Sequence, residues 1–138
     1  LRLHEAETKI TQLSKKKTTF AAIICRQQNQ TKKGASLLKS KLDDDMISIE
    51  NETKFKIQTG SYIVTGVWYS DEVRRVKLYE EGQNKLVAEG KSYNYCPEIR
   101  MYTIIYVKEQ NLFSLRFYDE YGHENESIDG ILSFQKIG

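Results

Sequence analysis

A chain of 138 residues has the length of one domain, and its 21 basic against 19 acidic side chains leave a net charge of only +2. That balance gives no overall electrostatic case for nucleic acid or an anionic membrane as the main partner. No apolar run approaches the roughly 20 residues a membrane-spanning helix needs, so no membrane insertion is expected within this segment, and Leu1 in place of an initiator methionine points to a segment of a longer protein.

Residues 1–17, LRLHEAETKITQLSKKK, place Leu3, Ala6, Ile10 and Leu13 at alternating spacings of three and four. That spacing is a coiled-coil seam, with Glu5 and Lys9 off it in the favourable i, i+4 order. Two heptads are marginal alone because helix nucleation is costly, so the segment is expected to be the end of a longer coiled-coil stem. Residues 18–138 form the second unit, and from Thr19 the period turns extended. TFAAIICRQQ is followed, after a polar connection, by MISIENETKFKI, SYIVTGVWYS, VRRVKLYEE, NKLVAEG, IRMYTIIYVKE, NLFSLRFYDE and SIDGILSFQKI. Short turns rich in Gly, Asn and Asp separate them, the pattern of an all-β antiparallel sandwich or jelly roll. No helical stretch separates the strands as a βαβ fold would require.

Phe55 with Ile57, Val76 with Leu78, and Phe113, Leu115 and Phe117 alternate with polar residues and mark half-buried strands. SYIVTGVWY and MYTIIYV carry large apolar residues at both parities, so these two strands are expected to be covered on both faces. Sheet-on-sheet packing covers only one face, and no helix remains for the other. A second copy of the chain is the simpler cover, and a coiled-coil stem would already hold copies side by side.

The body from about Thr18 to Gly138 resembles the globular heads of the complement C1q and tumour necrosis factor superfamily. TTFAAIICRQ is similar to the opening strand, KFKIQTGSYIVTGVWYS to the Gly-x-Tyr turn entering a central strand, and VRRVKLYEEGQNKLVAEG to the following hairpin. YTIIYVKEQNLFSLRFYDE and SIDGILSFQKI resemble the later strand pair and the closing strand. The chain departs from the pattern at Thr59, where proline is common, at Glu109-Gln110-Asn111, which lacks glycine, and at Ile128, where an aromatic is usual. It is identified as a divergent member. The resemblance implies a C1q/TNF-like jelly roll that forms a homotrimer, with function on exposed loops. It assigns the trimer interface to Tyr62, Trp68, Tyr102, Ile104 and Tyr106, the other reading of each being the core of its own domain.

Some members of that superfamily bind calcium in the loop before the strand matching YTIIYV. Here that loop offers only Glu89 and Glu98, which is thin for a cation that wants clustered oxygens, and Asp43 to Asp45 read as solvated loop acids. The expected cofactor is none. His4 falls in the stem and His123 in a turn, which leaves no histidine placed to activate a nucleophile, so no enzyme is expected. Cys25 and Cys96 are too few for a disulfide scaffold and lack metal-binding spacing. Sequons at Asn29, Asn51 and Asn125 are candidate glycosylation sites and favour an extracellular, secreted protein. Lys15 to Lys17 with Arg26, Lys32, Lys33, Lys39 and Lys41 form a basic collar, whose ordinary reading is a solvated surface and whose functional one is a glycosaminoglycan or acidic-protein contact. The function expected is a non-enzymatic homotrimeric binding module presenting its loops to an extracellular protein receptor or glycan. The alternative is an intracellular, cytoplasmic module that trimerises and caps a coiled-coil scaffold.

Overall fold

A computed structural model describes residues 5–6, 20–26, 36–39, 46–51, 53–93, 96–125 and 128–138. Of the expected stem, Glu5 and Ala6 are helical and exposed, while Leu3, Ile10 and Leu13 lie outside the described residues.

The body is built from strands that follow the alternation of its apolar residues. They are β1 (Phe20–Arg26), β2 (Ser36–Lys39), β3 (Ile47–Ile49), β4 (Lys54–Ile57), β5 (Gly60–Tyr69), β6 (Val73–Glu80), β7 (Lys85–Lys91), β8 (Glu98–Val107), β9 (Leu112–Asp119), β10 (Glu124–Asn125) and β11 (Gly130–Lys136). All pairings are antiparallel, and the hydrogen-bonded order is β2-β1-β11-β5-β8-β7-β6-β9-β4-β3, with β10 on β9. The path folds into two layers at β7–β8, which share only the Lys91–Arg100 pair, so β2-β1-β11-β5-β8 forms an inner sheet and β7-β6-β9-β4-β3 an outer one. This is the jelly-roll sandwich expected. Two short strands escaped the sequence: β2, inside the polar connection, and β10, inside the Tyr121–Asn125 turn region. Neither has an apolar alternation to betray it.

The core lies between the layers. Ring contacts cross it: Phe55 on β4 lies 5.9 Å from Phe134 on β11, and Trp68 on β5 meets Phe117 on β9 edge-on at 6.5 Å. Edge-on geometry satisfies the opposed charge distributions of ring face and ring rim. The inner-sheet register sets Cys25, Gly130, Trp68 and Ile99 in one inward row, with Ile23, Leu132, Gly66 and Met101 in the next. Trp68 therefore sits beside two glycines, and its indole fills the volume that side chains at 66 and 130 would need.

The turns use the conformations their residues allow. Gly60, at φ 147°, opens β5, and a Cβ there would press on the Gly138 carbonyl. Gly122, at φ 82°, lets the chain reverse after β9. Asp119 holds that reversal by accepting bonds from the Tyr121 and His123 amides at 2.9 and 2.8 Å. The His123 amide, then slight burial acting in the opposite sense, then the Tyr121 amide set its carboxyl below the usual range.

At β5 and β8 the structure corrects the placing of Tyr62 and Trp68 at an interface. Within the subunit each strand is covered on one face only: Tyr62, Val64 and Trp68, and opposite them Ile99, Met101 and Ile105, point into the sandwich. Tyr62 and Trp68 are both 0% exposed, so neither offers side-chain surface to another subunit. Tyr62 is further tied inside by its hydroxyl, which donates to the Gln58 carbonyl at 2.7 Å. They belong to the domain's own core because a large ring needs the inter-sheet space.

Candidate self-association face

The opposite parity of the same strands makes the site. In β8, Tyr102, Ile104 and Tyr106 stand 74, 63 and 68% exposed on the outward face of the inner sheet. Ile63 lies directly opposite Ile104, Thr65 opposite Tyr102, and Ser61 opposite Tyr106. On the far side of β5, Ile131 of β11 pairs with Val67 and is half exposed. Ile63, Thr65 and Val67 are themselves partly open to solvent. The result is a contiguous apolar and aromatic strip across three neighbouring strands.

Its rim is polar. At the β8 start Arg100 donates from Nε and Nη2 to Glu98 Oε1, both at 2.9 Å, and past its end Lys108 and Glu109 are exposed. An apolar centre rich in tyrosine with a charged rim is the anatomy of a protein–protein contact. Tyrosine suits it because the ring buries a large rigid area while its hydroxyl still finds a polar partner.

Of the five residues assigned to an interface from sequence, the structure brings Tyr102, Ile104 and Tyr106 together on this face and sets Tyr62 and Trp68 behind it. Ile63, Val67 and Ile131 were missed. Trp68 and Gly66 share a parity, and the packing of the indole over Gly66 and over Gly130 of β11 turns the odd-numbered residues of β5 outward, a relation that lies in the register and not in the linear pattern.

The other candidates are dispersed. Glu98 is held by Arg100, whereas Glu89 lies 3.8 Å from Arg75 on the outer sheet, and among the described residues no group of three His, Cys, Asp or Glu could hold a metal ion. Asp43 to Asp45 lie outside the described residues. His123 Nδ1 faces Asp119 at 3.5 Å. Cys25 is buried and Cys96 exposed, and both are free thiols. Burial drives the Cys25 thiol up to about 11, opposed by the adjacent Trp68 indole and reinforced by Asp129. The indole N–H itself is buried without a hydrogen bond of ordinary geometry, so its contact with the sulfur is a soft one. Asn51 is exposed and its side-chain oxygen accepts from Thr53 N, Thr53 Oγ1 and Lys54 N at 2.8, 2.9 and 3.0 Å. Asn125 is half-buried in β10, and Asn29 falls outside the described residues.

Solved structures similar to this chain include C1q and TNF-family domains. The globular domain of zebrafish complement 1qA superposes with a TM-score of 0.61 over 88% of this chain and 98% of that one, at 11% identity. Murine APRIL at pH 8.0 gives 0.55 over 86% and 99%, at 10% identity. GITRL from bushbaby gives 0.52 over 83% and 93%, at 14% identity. No protein-family model and no curated protein sequence matches the chain. The chain has the C1q/TNF-like fold, nearly complete, at only 10 to 14% sequence identity to these structures.

Proposed function

We propose that this chain is a non-enzymatic recognition head that works as a homotrimer, packing the outward face of its inner sheet against two copies of itself and presenting loops to an extracellular protein or glycan partner. The observation that carries it is the uncovered strip of Tyr102, Ile104 and Tyr106 beside Ile63. An isolated domain leaves large side chains in contiguous exposure only at some cost in solubility, and covering them is worth about 25 cal/mol for each Å² removed from water. The shared fold adds weight, and a coiled-coil stem at residues 1–17 would align three copies. Three modest contacts presented together bind far more tightly than one, so avidity is the mechanism. Sedimentation or light scattering on the full chain tests the assembly: three subunit masses at micromolar concentration support it, and one subunit mass overturns it.

A second reading, an intracellular cap on a coiled-coil scaffold, is favoured by one observation. Both thiols are free, and the exposed Cys96 would be open to oxidation outside the cell. Glycan mapping on the native protein separates the two: a glycan on Asn29, Asn51 or Asn125 excludes the intracellular reading, and unmodified sequons on protein from its natural source weigh against the exported one.

A further inference from the structure

The outer sheet has its own outward face, on the side of the sandwich away from the self-association strip, and its chemistry is different. β7, β6, β9 and β4 lie in that order. Their register sets Lys91 beside Arg75, then Lys77 beside Arg116 one row on, then Lys54 beside Ser114 in the row after. Because Val76, Leu78, Phe55, Leu115 and Phe117 point into the core, all five cations point out. They form a diagonal stripe that crosses four strands. With strands about 4.8 Å apart and same-face residues about 6.8 Å apart along a strand, it is roughly 20 Å long.

Two of these contacts are like-charge pairs placed directly across from each other, Arg75 with Lys91 and Lys77 with Arg116. Such pairs are destabilising in an antiparallel sheet, and here they adjoin. The acids nearby answer only part of the charge. Glu81 binds Arg116 at 3.2 Å, and Glu89, directly opposite Lys77 on β7, has its buried Oε1 3.8 Å from Arg75. Lys54, Lys77 and Lys91 have no ion pair among the described residues. Asp119 and Glu120 border the stripe at a shallow cleft shared with Arg75, Lys77 and Tyr118, which gives it an acidic edge.

We propose that this stripe binds a linear sulfated polysaccharide laid diagonally across the outer sheet. A line of cations suits a chain that repeats its charge, where a compact anion would need a cluster. The tyrosines decide against single-stranded nucleic acid, which is held by stacking bases on free aromatic faces. Here Lys77 lies over the Tyr118 ring at 4.8 Å from its centroid and Arg116 over the Tyr79 ring at 4.4 Å, so these faces are taken. Recognition is left to charge, and the stripe is complete within one subunit, whatever the state of assembly.

The test is calorimetric titration of the full chain with a heparin oligosaccharide long enough to span the stripe. Neutralising about four charges makes affinity fall on the order of a hundredfold between about 50 and 200 mM salt. Lys91→Glu turns the Arg75 pair into one of opposite sign, so it raises the melting temperature while weakening heparin binding by about tenfold or more. Glu81→Gln releases Arg116 and tightens binding. Replacing Lys15, Lys16 and Lys17 with serine leaves affinity unchanged. Unchanged affinity in a folded Lys91→Glu variant, a loss confined to the Lys15–Lys17 variant, or equal affinity for single-stranded DNA or polyglutamate of matched charge would each overturn the proposal.

Discussion

The indole of Trp68 occupies the place where Gly130 would carry a side chain: a Cβ at 130 would overlap the pyrrole edge of the ring and the Val67 carbonyl oxygen. The ring's other end covers Gly66 in the same way. One large residue is thus accommodated by two absent ones on adjacent positions of the inward face.

Gly130→Ala is expected to destabilise the fold by about 3 kcal/mol, the upper part of the range for overpacking, because one of the atoms in the way is backbone and cannot rotate aside. Gly82→Ala, where the nearest atoms stand 3.7 Å from the added Cβ, should change stability by less than about 0.5 kcal/mol. Urea unfolding midpoints compare them. Trimming the ring in Gly130→Ala/Trp68→Leu should recover part of the loss relative to the sum of the two single changes, and strict additivity would show that the ring is not what Gly130 makes room for.

The same pair shows how far the sequence could be read. Strand identity was legible wherever apolar residues alternate, as in Phe55/Ile57 and Phe113/Leu115/Phe117, because period two is a direct consequence of the pleat. It failed for Ser36–Lys39 and Glu124–Asn125, which are strands only because neighbours supply their hydrogen bonds. The candidate site was half legible. Residues of β5 and β8 are large at both parities, so hydrophobicity could not say which parity faces in; the packing of Trp68 against Gly66 and Gly130 decides it, and that depends on register with β11, which a linear pattern does not contain.

Burial of Cys25 separates the two thiols chemically. Its pKa rises to about 11, and the thiolate is the reactive form, so a maleimide or iodoacetamide at about pH 8 should label Cys96 quickly and Cys25 only on unfolding. Mass spectrometry of the labelled native chain reads this directly. The shift also sets an alkaline limit. Cys25 ionises near 9 when unfolded and near 11 when folded, so the native state holds the extra proton in between, and the stability this provides is intact below pH 9 and lost as pH climbs toward 11, by roughly 3 kcal/mol in full. Cys25→Ala should flatten that alkaline decline, and an unchanged slope would mean another group is responsible.

Glu81 controls the acid side of the outer sheet. Partial burial pushes its carboxyl up, but the Ser114 hydroxyl and then the Arg116 guanidinium, both donating to it, outweigh that and bring it below 4.5. A depressed folded pKa gives stability that is present above the unfolded value and lost as pH falls through the folded one. The wild type should therefore exceed Glu81→Gln in melting temperature at pH 6, with the gap closing as pH drops below 4. A gap that persists at pH 2 would show that the glutamine damages packing instead.

Ile104 offers the sharpest test of assembly. It lies 63% exposed on β8 opposite Ile63, so Ile104→Arg removes nothing from the core and should leave the subunit's own melting transition intact once copies are apart. On the proposed interface the same arginine would meet its two symmetry mates near the axis, three unpaired charges taken out of water, a cost of several kcal/mol for each one buried. The variant is expected to sediment as a folded single subunit with unchanged circular dichroism. Trp68→Arg, by contrast, places a charge between the sheets and should abolish folding. If Ile104→Arg remains trimeric, the copies meet on another face, and Tyr102 and Tyr106 are left exposed for a different partner.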